Sequence, residues 1–152
     1  MKVAMIGKSK YRLVLVCLFA MVFSGAGLIY GSGRDGRLSV FESGLLSQIN
    51  RYRTSKGLNA LSIDKTLQKL AAGHSRYMDE ERSLNHDLFG DRFRKCGRTH
   101  CVENCGWNYA TPEDQLKAWK SSSGHNANLI NKDIRFAGIS KVGAYVTFFA
   151  CD

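Results

Sequence analysis

Three side chains that can bind a metal ion or move a proton lie outside any clear helical stripe: His86, Glu103 and His125. Two neutral imidazoles and one carboxylate suit a borderline divalent metal such as zinc, and they leave a coordination position open for water or a ligand. The same set would serve hydrolysis if a metal polarised water and Glu103 took its proton. It would equally make an architectural cluster in which the three groups hydrogen-bond one another. His125 follows Gly124 in Trp119-Lys120-Ser121-Ser122-Ser123-Gly124-His125. A glycine there is expected to end a helix, so the imidazole should project from a junction. His86 and Glu103 sit in Leu84-Asn85-His86-Asp87 and Val102-Glu103-Asn104. Residues so far apart along the chain converge only if the fold brings them together.

The cysteines form a second group. Cys17 lies in an apolar N-terminal run, which leaves Cys96, Cys101, Cys105 and Cys151. An even number in an exported chain favours two disulfides, with three connectivities open. The preferred pairing joins Cys96 to Cys101 around His100, and Cys105 to Cys151, tying the last strand to the segment that carries Glu103. A zinc site built from Cys96, Cys101, Cys105 and His100 is the alternative; its spacing matches no familiar ribbon and strands Cys151.

Several elements must position these groups. Leu45, Leu46, Ile49 and Tyr52 recur at three- and four-residue intervals and predict a helix over 42–55, ended by Gly57. Asp64 is a natural N-cap for a second helix with an inward stripe of Leu67, Leu70, Ala71, His74 and Met78. His74 on that stripe reads as a core histidine bonded to backbone. From Asp79 to Asn108 the pattern breaks down, and this irregular region holds His86, His100, Glu103 and three cysteines. Thr111-Pro112-Glu113-Asp114 starts another helix with a hydroxyl cap, a proline and two acids. Leu116 and Trp119 should face inward from it. Trp107, Tyr109 and Trp119 read as core packing before ligand-groove lining, and Ser121 to Ser123 as solvated residues without the elbow of a serine nucleophile. Phe136–Val142 and Tyr145–Ala150 are predicted strands around a Gly143-Ala144 turn.

The chain has 152 residues, 44% of them hydrophobic and 23% charged, as expected for one globular domain. Residues 1–31 read as a signal peptide, with Lys2, Lys8, Lys10 and Arg12 ahead of a greasy run and Ser24-Gly25-Ala26 as the cleavage site. The alternative is an uncleaved N-terminal membrane anchor. Residues 32–37 read as a flexible linker and 38–152 as the domain. Without the four N-terminal cations, 18 basic residues face 13 acidic ones. They are scattered, which argues against nucleic acid as a partner.

In these features taken together, the chain resembles the secreted CAP superfamily of cysteine-rich secretory, antigen and pathogenesis-related proteins, in its bacterial form. The resemblance runs from about Leu45 to Phe149. It rests on Asn50-Arg51-Tyr52-Arg53, Gly57-Leu58, Leu61, Leu67 with Ala71, His86, Glu103-Asn104, Trp119, Ser123-Gly124-His125 with Asn128-Leu129, and Gly138-Ile139. It implies an α+β fold, an α-β-α sandwich with a small antiparallel sheet between helices. It also implies a cleft lined by His86, Glu103 and His125, with divalent metal held by His86 and His125. The family's second cleft glutamate has no match after Trp119, where Lys120 and serines stand, and this weakens any hydrolytic mechanism. The resulting expectation is a secreted or periplasmic, non-enzymatic binding module for a small apolar, amphipathic or lipid-like ligand. Its alternatives are a structural domain that contacts envelope components, and a metal-dependent hydrolase.

Overall fold

The computed structural model describes residues 37–152, so the expected signal or anchor, Cys17 and nearly all of the linker lie outside the described residues. Among those described, five helices and four strands follow one another. Helix α1 (Val40–Thr54) opens on a capping box in which Ser39 and Glu42 satisfy each other's backbone N–H groups. Strand β1 (Ser62–Ile63) is a short edge. Helix α2 (Lys65–Glu81) starts on the Asp64 carboxylate, which accepts from Thr66 N and Leu67 N. Then come α3 (Phe89–Cys96), β2 (Cys101–Trp107), α4 (Pro112–Ser121), α5 (Ser123–Leu129), β3 (Phe136–Val142) and β4 (Tyr145–Cys151).

The sheet order is β1-β3-β4-β2, with β2, β3 and β4 antiparallel and β1 parallel to β3. The expected antiparallel sheet therefore gains a short parallel strand at one edge, and β2 forms the other. The two faces alternate along the strands with period two. Val146, Phe148 and Ala150 of β4 join Leu45, Ile49, Leu116, Trp119 and Leu129 on one side. Phe149 and Cys151 join Leu67 and Ala71 of α2 on the other, with Phe89 of α3 packed against them. A helix layer thus covers each face. Helix α2 lies directly on β3: a Cβ at Gly138 would come within 2.2 Å of the Leu67 backbone. Only a residue without a side chain permits that approach.

Two expectations fail. The region read as irregular, Asp79 to Asn108, contains α3 and all of β2, whose buried Glu103, Asn104 and Gly106 disguise a strand as a loop. Gly124 does not end a helix but lies inside α5. The break comes two residues earlier at Ser122, whose extended backbone (φ −97°, ψ 121°) ends α4 and whose hydroxyl caps α5.

The cysteine pairing is also corrected. Cys101 is bonded to Cys151, while Cys96 and Cys105 carry free thiols. The sheet decides this, because Cys101 and Cys151 are direct register partners on β2 and β4, with Cα atoms 4.1 Å apart. Cys105 sits opposite Thr147 instead, four residues along the ladder from Cys151. The zinc alternative loses Cys101 to the same bond.

Candidate functional site

Because β2 side chains alternate, Cys101, Glu103, Cys105 and Trp107 point to the α2/α3 face, and Val102 and Asn104 to the other. Glu103 is 6% exposed, and its carboxylate lies among four side chains, those of Arg92, His86, His74 and Cys105. Arg92 of α3 grips it in a two-pronged ion pair, Nε to Oε2 at 2.7 Å and Nη2 to Oε1 at 2.7 Å. The third guanidinium nitrogen of Arg92 donates to Asp87 O at 2.7 Å, which fixes the chain just after His86. His86 Nδ1 lies 2.9 Å from Glu103 Oε1, and His74 Nε2 lies 3.7 Å from the same oxygen. Burial pushes the Glu103 carboxyl up, but His86 and Arg92 more than offset this and hold it below the usual range. Glu103 is therefore an anion at neutral pH.

This geometry fixes two tautomers. A carboxylate only accepts, so Nδ1 of His86 carries the hydrogen and Nε2 of the neutral ring keeps its lone pair. The His86 side chain is 51% exposed, so that lone pair belongs to a half-open ring. His74 behaves as the core histidine expected from its stripe: its Nε2 donates to Asn85 O at 3.0 Å. Its Nδ1 has no partner and is buried. Burial outweighs the nearby Glu103 charge and lowers the His74 pKa, keeping the ring neutral.

His125 arrives from the other helix layer. It occupies the first turn of α5, where its N–H lies 3.5 Å from Ser122 Oγ. Its carbonyl accepts from Asn104 Nδ2 at 3.0 Å, and Asn128 Nδ2 donates to Glu103 O and to Asn104 Oδ1 at 3.0 and 2.9 Å. The far end of α5 is held by Arg53, fully buried, which donates to Leu129 O and Asn131 O at 2.8 Å each. Tyr52 Oη donates to Asn126 Oδ1 at 3.0 Å, and Asn50 exchanges hydrogen bonds with the Leu61 backbone. The Asn50-Arg51-Tyr52-Arg53 stretch is thus the clamp that seats α5. The His125 ring is half-buried, and burial together with the nearby His86 lowers its pKa. It too is a neutral imidazole at neutral pH.

Sequence reasoning missed Arg92, the strongest partner of Glu103. A charged residue on a short polar helix carries no signal of burial until β2 supplies its counter-ion. The aromatic expectation divides: Trp119 is core, 1% exposed, with Nε1 donating to Cys105 O at 3.0 Å. Trp107 is not, standing 51% exposed at the end of the edge strand. Its alternation places it on the face of Glu103 and Cys105. Leu84 and Leu88, either side of His86, are exposed at 52% and 59%.

The family model described as the cysteine-rich secretory protein family, CAP, matches residues 46–152. The chain belongs to this family. Among curated proteins, the uncharacterized protein YkwD of Bacillus subtilis (strain 168) is 29% identical over 117 residues, covering 69% of this chain and 44% of that protein. An extracellular protein containing an SCP domain from Bacillus anthracis str. Ames superposes with a TM-score of 0.66 at 27% identity, over 72% of this chain and 41% of that one. An outer surface protein from Borrelia burgdorferi superposes with a TM-score of 0.66 at 26% identity, over 71% of this chain and 89% of that one. This CAP chain spans under half the length of the two Bacillus proteins. Among its described residues no helix is long and apolar enough to cross a membrane.

Proposed function

We propose that this CAP domain is an exported, non-catalytic binding module. Its half-open edge, bearing His86 and His125, receives the polar head of a small amphipathic ligand. Leu84, Leu88 and Trp107, all more than half exposed, supply apolar surface for the remainder. The observation that carries the reading is the pair of hydrogen bonds that Arg92 donates to the Glu103 carboxylate. A carboxylate matched to a buried guanidinium and held below its ordinary pKa is a poor proton acceptor, so Glu103 orients His86 instead of serving as a base. This disfavours the hydrolase.

We assign any divalent metal to nitrogen donors alone. His86 Nε2 and the neutral His125 ring are competent ligands, whereas the nearby carboxylate is committed to Arg92. A bound ion would supply a Lewis-acidic anchor for an anionic headgroup. The purely structural reading, with the polar cluster acting only as architecture in an envelope-contact domain, draws on the same burial of Glu103.

Titration of the purified domain with palmitate tests the proposal. The exposed Trp107 should shift its emission to shorter wavelength on binding, and Trp107→Leu should remove the change. Zinc should raise the melting temperature of the wild type more than that of His86→Ala or His125→Ala. If neither palmitate nor a sterol alters the emission and zinc shifts all three proteins equally, the structural reading replaces this one.

A further inference from the structure

The free thiol of Cys96 is not isolated. Its Sγ lies 3.5 Å from Cys101 Sγ and 4.0 Å from Cys151 Sγ, so three sulfurs meet where the end of α3 touches the two strand ends. Cys96 is half-buried and Cys151 fully buried. A thiol in contact with a disulfide can exchange with it once the thiolate stands in line with the S–S bond; Cys96 Sγ lies beside that bond, almost as near to Cys151 as to Cys101, so a rotation of the Cys96 side chain precedes attack.

We propose that Cys96, Cys101 and Cys151 form a thiol–disulfide exchange centre that moves the Cys101 bond between β4 and α3. Cys96 loses its proton to solvent, and its thiolate attacks Cys101 Sγ, the nearer sulfur. The Cys96–Cys101 bond forms as the Cys101–Cys151 bond breaks. The departing electron pair resides on Cys151 Sγ, which takes up a proton. One disulfide and one thiol exist before and after, so no oxidant or reductant is consumed.

The fold tolerates both states because the strand end is also held without sulfur. Asp152 N donates to His100 O at 3.1 Å, and Arg98 Nη1 donates to Asp152 O at 2.8 Å. Arg98 Nη2 also reaches Asp64 Oδ2 at 3.1 Å, pinning the Cys96–Cys101 loop to the start of α2. The rearranged bond would link α3 to β2 covalently. These are the two elements that bring Arg92 to Glu103, so exchange trades a staple across the sheet for a strap beside the polar cluster.

Acid quenching of the folded, non-reduced protein, followed by denaturation, alkylation with N-ethylmaleimide at low pH and peptide mapping, is the test. Exchange should yield a fraction with Cys96 bonded to Cys101 and the label on Cys151, beside the original form labelled on Cys96, with Cys105 labelled in both. Cys96→Ala keeps the original disulfide and should abolish Cys151 labelling. In Cys151→Ser, mild oxidation should join Cys96 to Cys101. Persistent Cys151 labelling in Cys96→Ala, wild-type labelling at Cys96 and Cys105 alone, or a trapped Cys96–Cys151 bond would overturn the proposal.

Discussion

Glu103 and Arg92 form the pairing on which the site depends, and a buried pair is far more sensitive to losing one partner than to losing both. Glu103→Gln leaves the guanidinium uncompensated and should cost about 3–5 kcal/mol in denaturant unfolding. The double variant Glu103→Gln with Arg92→Met should recover much of that loss. Equal destabilisation by the single and double changes would show that the pair is not the source. The same groups set the acid response. Glu103 sits below its ordinary 4.5, so its share of stability is complete above that value and is lost as pH falls through the folded-state pKa. His74 sits below its ordinary 6.5; the unfolded chain therefore takes up that proton first, and stability begins to fall as pH drops below about 6.5. Melting temperature should decline in two stages between neutral pH and pH 3. His74→Gln should flatten the upper stage and leave the lower one, and an unchanged profile would remove His74 from the account.

The elements show where sequence is informative and where it is silent. Asp64, Thr111 and Pro112 were legible because a cap acts on backbone a few residues away. The stripe that buries His74 was legible because helical periodicity repeats within one segment. Strand β2 was not: Glu103, Asn104 and Gly106 are buried because α3, α5 and α4 supply Arg92, Asn128 and Gln115, and none of these is a neighbour in sequence. The disulfide was misassigned for a related reason, since register between β2 and β4, rather than loop length, places Cys101 opposite Cys151. Gly138 belongs to the same scale. Gly138→Ala would drive a methyl group into the Leu67 backbone and should cost at least about 1–3 kcal/mol by separating α2 from β3. Thermal melts compared with Gly124→Ala, where added volume meets nothing within 4 Å, provide the control. A loss as small as the control's would contradict the close approach.

At the scale of the whole molecule, the disulfide found among the described residues joins positions 50 apart in sequence. By the chain-entropy relation, closing such a loop contributes about 4 kcal/mol. Reduction should therefore lower the denaturant midpoint without erasing the cooperative transition, because Arg98 and the backbone of Asp152 still tie the strand end to the Cys96–Cys101 loop. A reduced protein as stable as the oxidised one would place that contribution in the native contacts alone. The CAP family assignment bears on this scale too. The matched stretch makes up under half of each Bacillus protein, so the domain is an arrangement that also occurs inside larger chains.

An outer strand normally offers its bare amides and carbonyls to any other chain that can lie alongside, which is how fibrils and runaway polymers begin. Here β2 has two of those carbonyls already occupied, Glu103 O by Asn128 and Cys105 O by Trp119. Side chains from the fourth and fifth helices have taken the seats a foreign strand would need. Concentrated solutions of this protein should therefore resist thioflavin-positive assembly, and Asn128→Ala should weaken that resistance by reopening the margin.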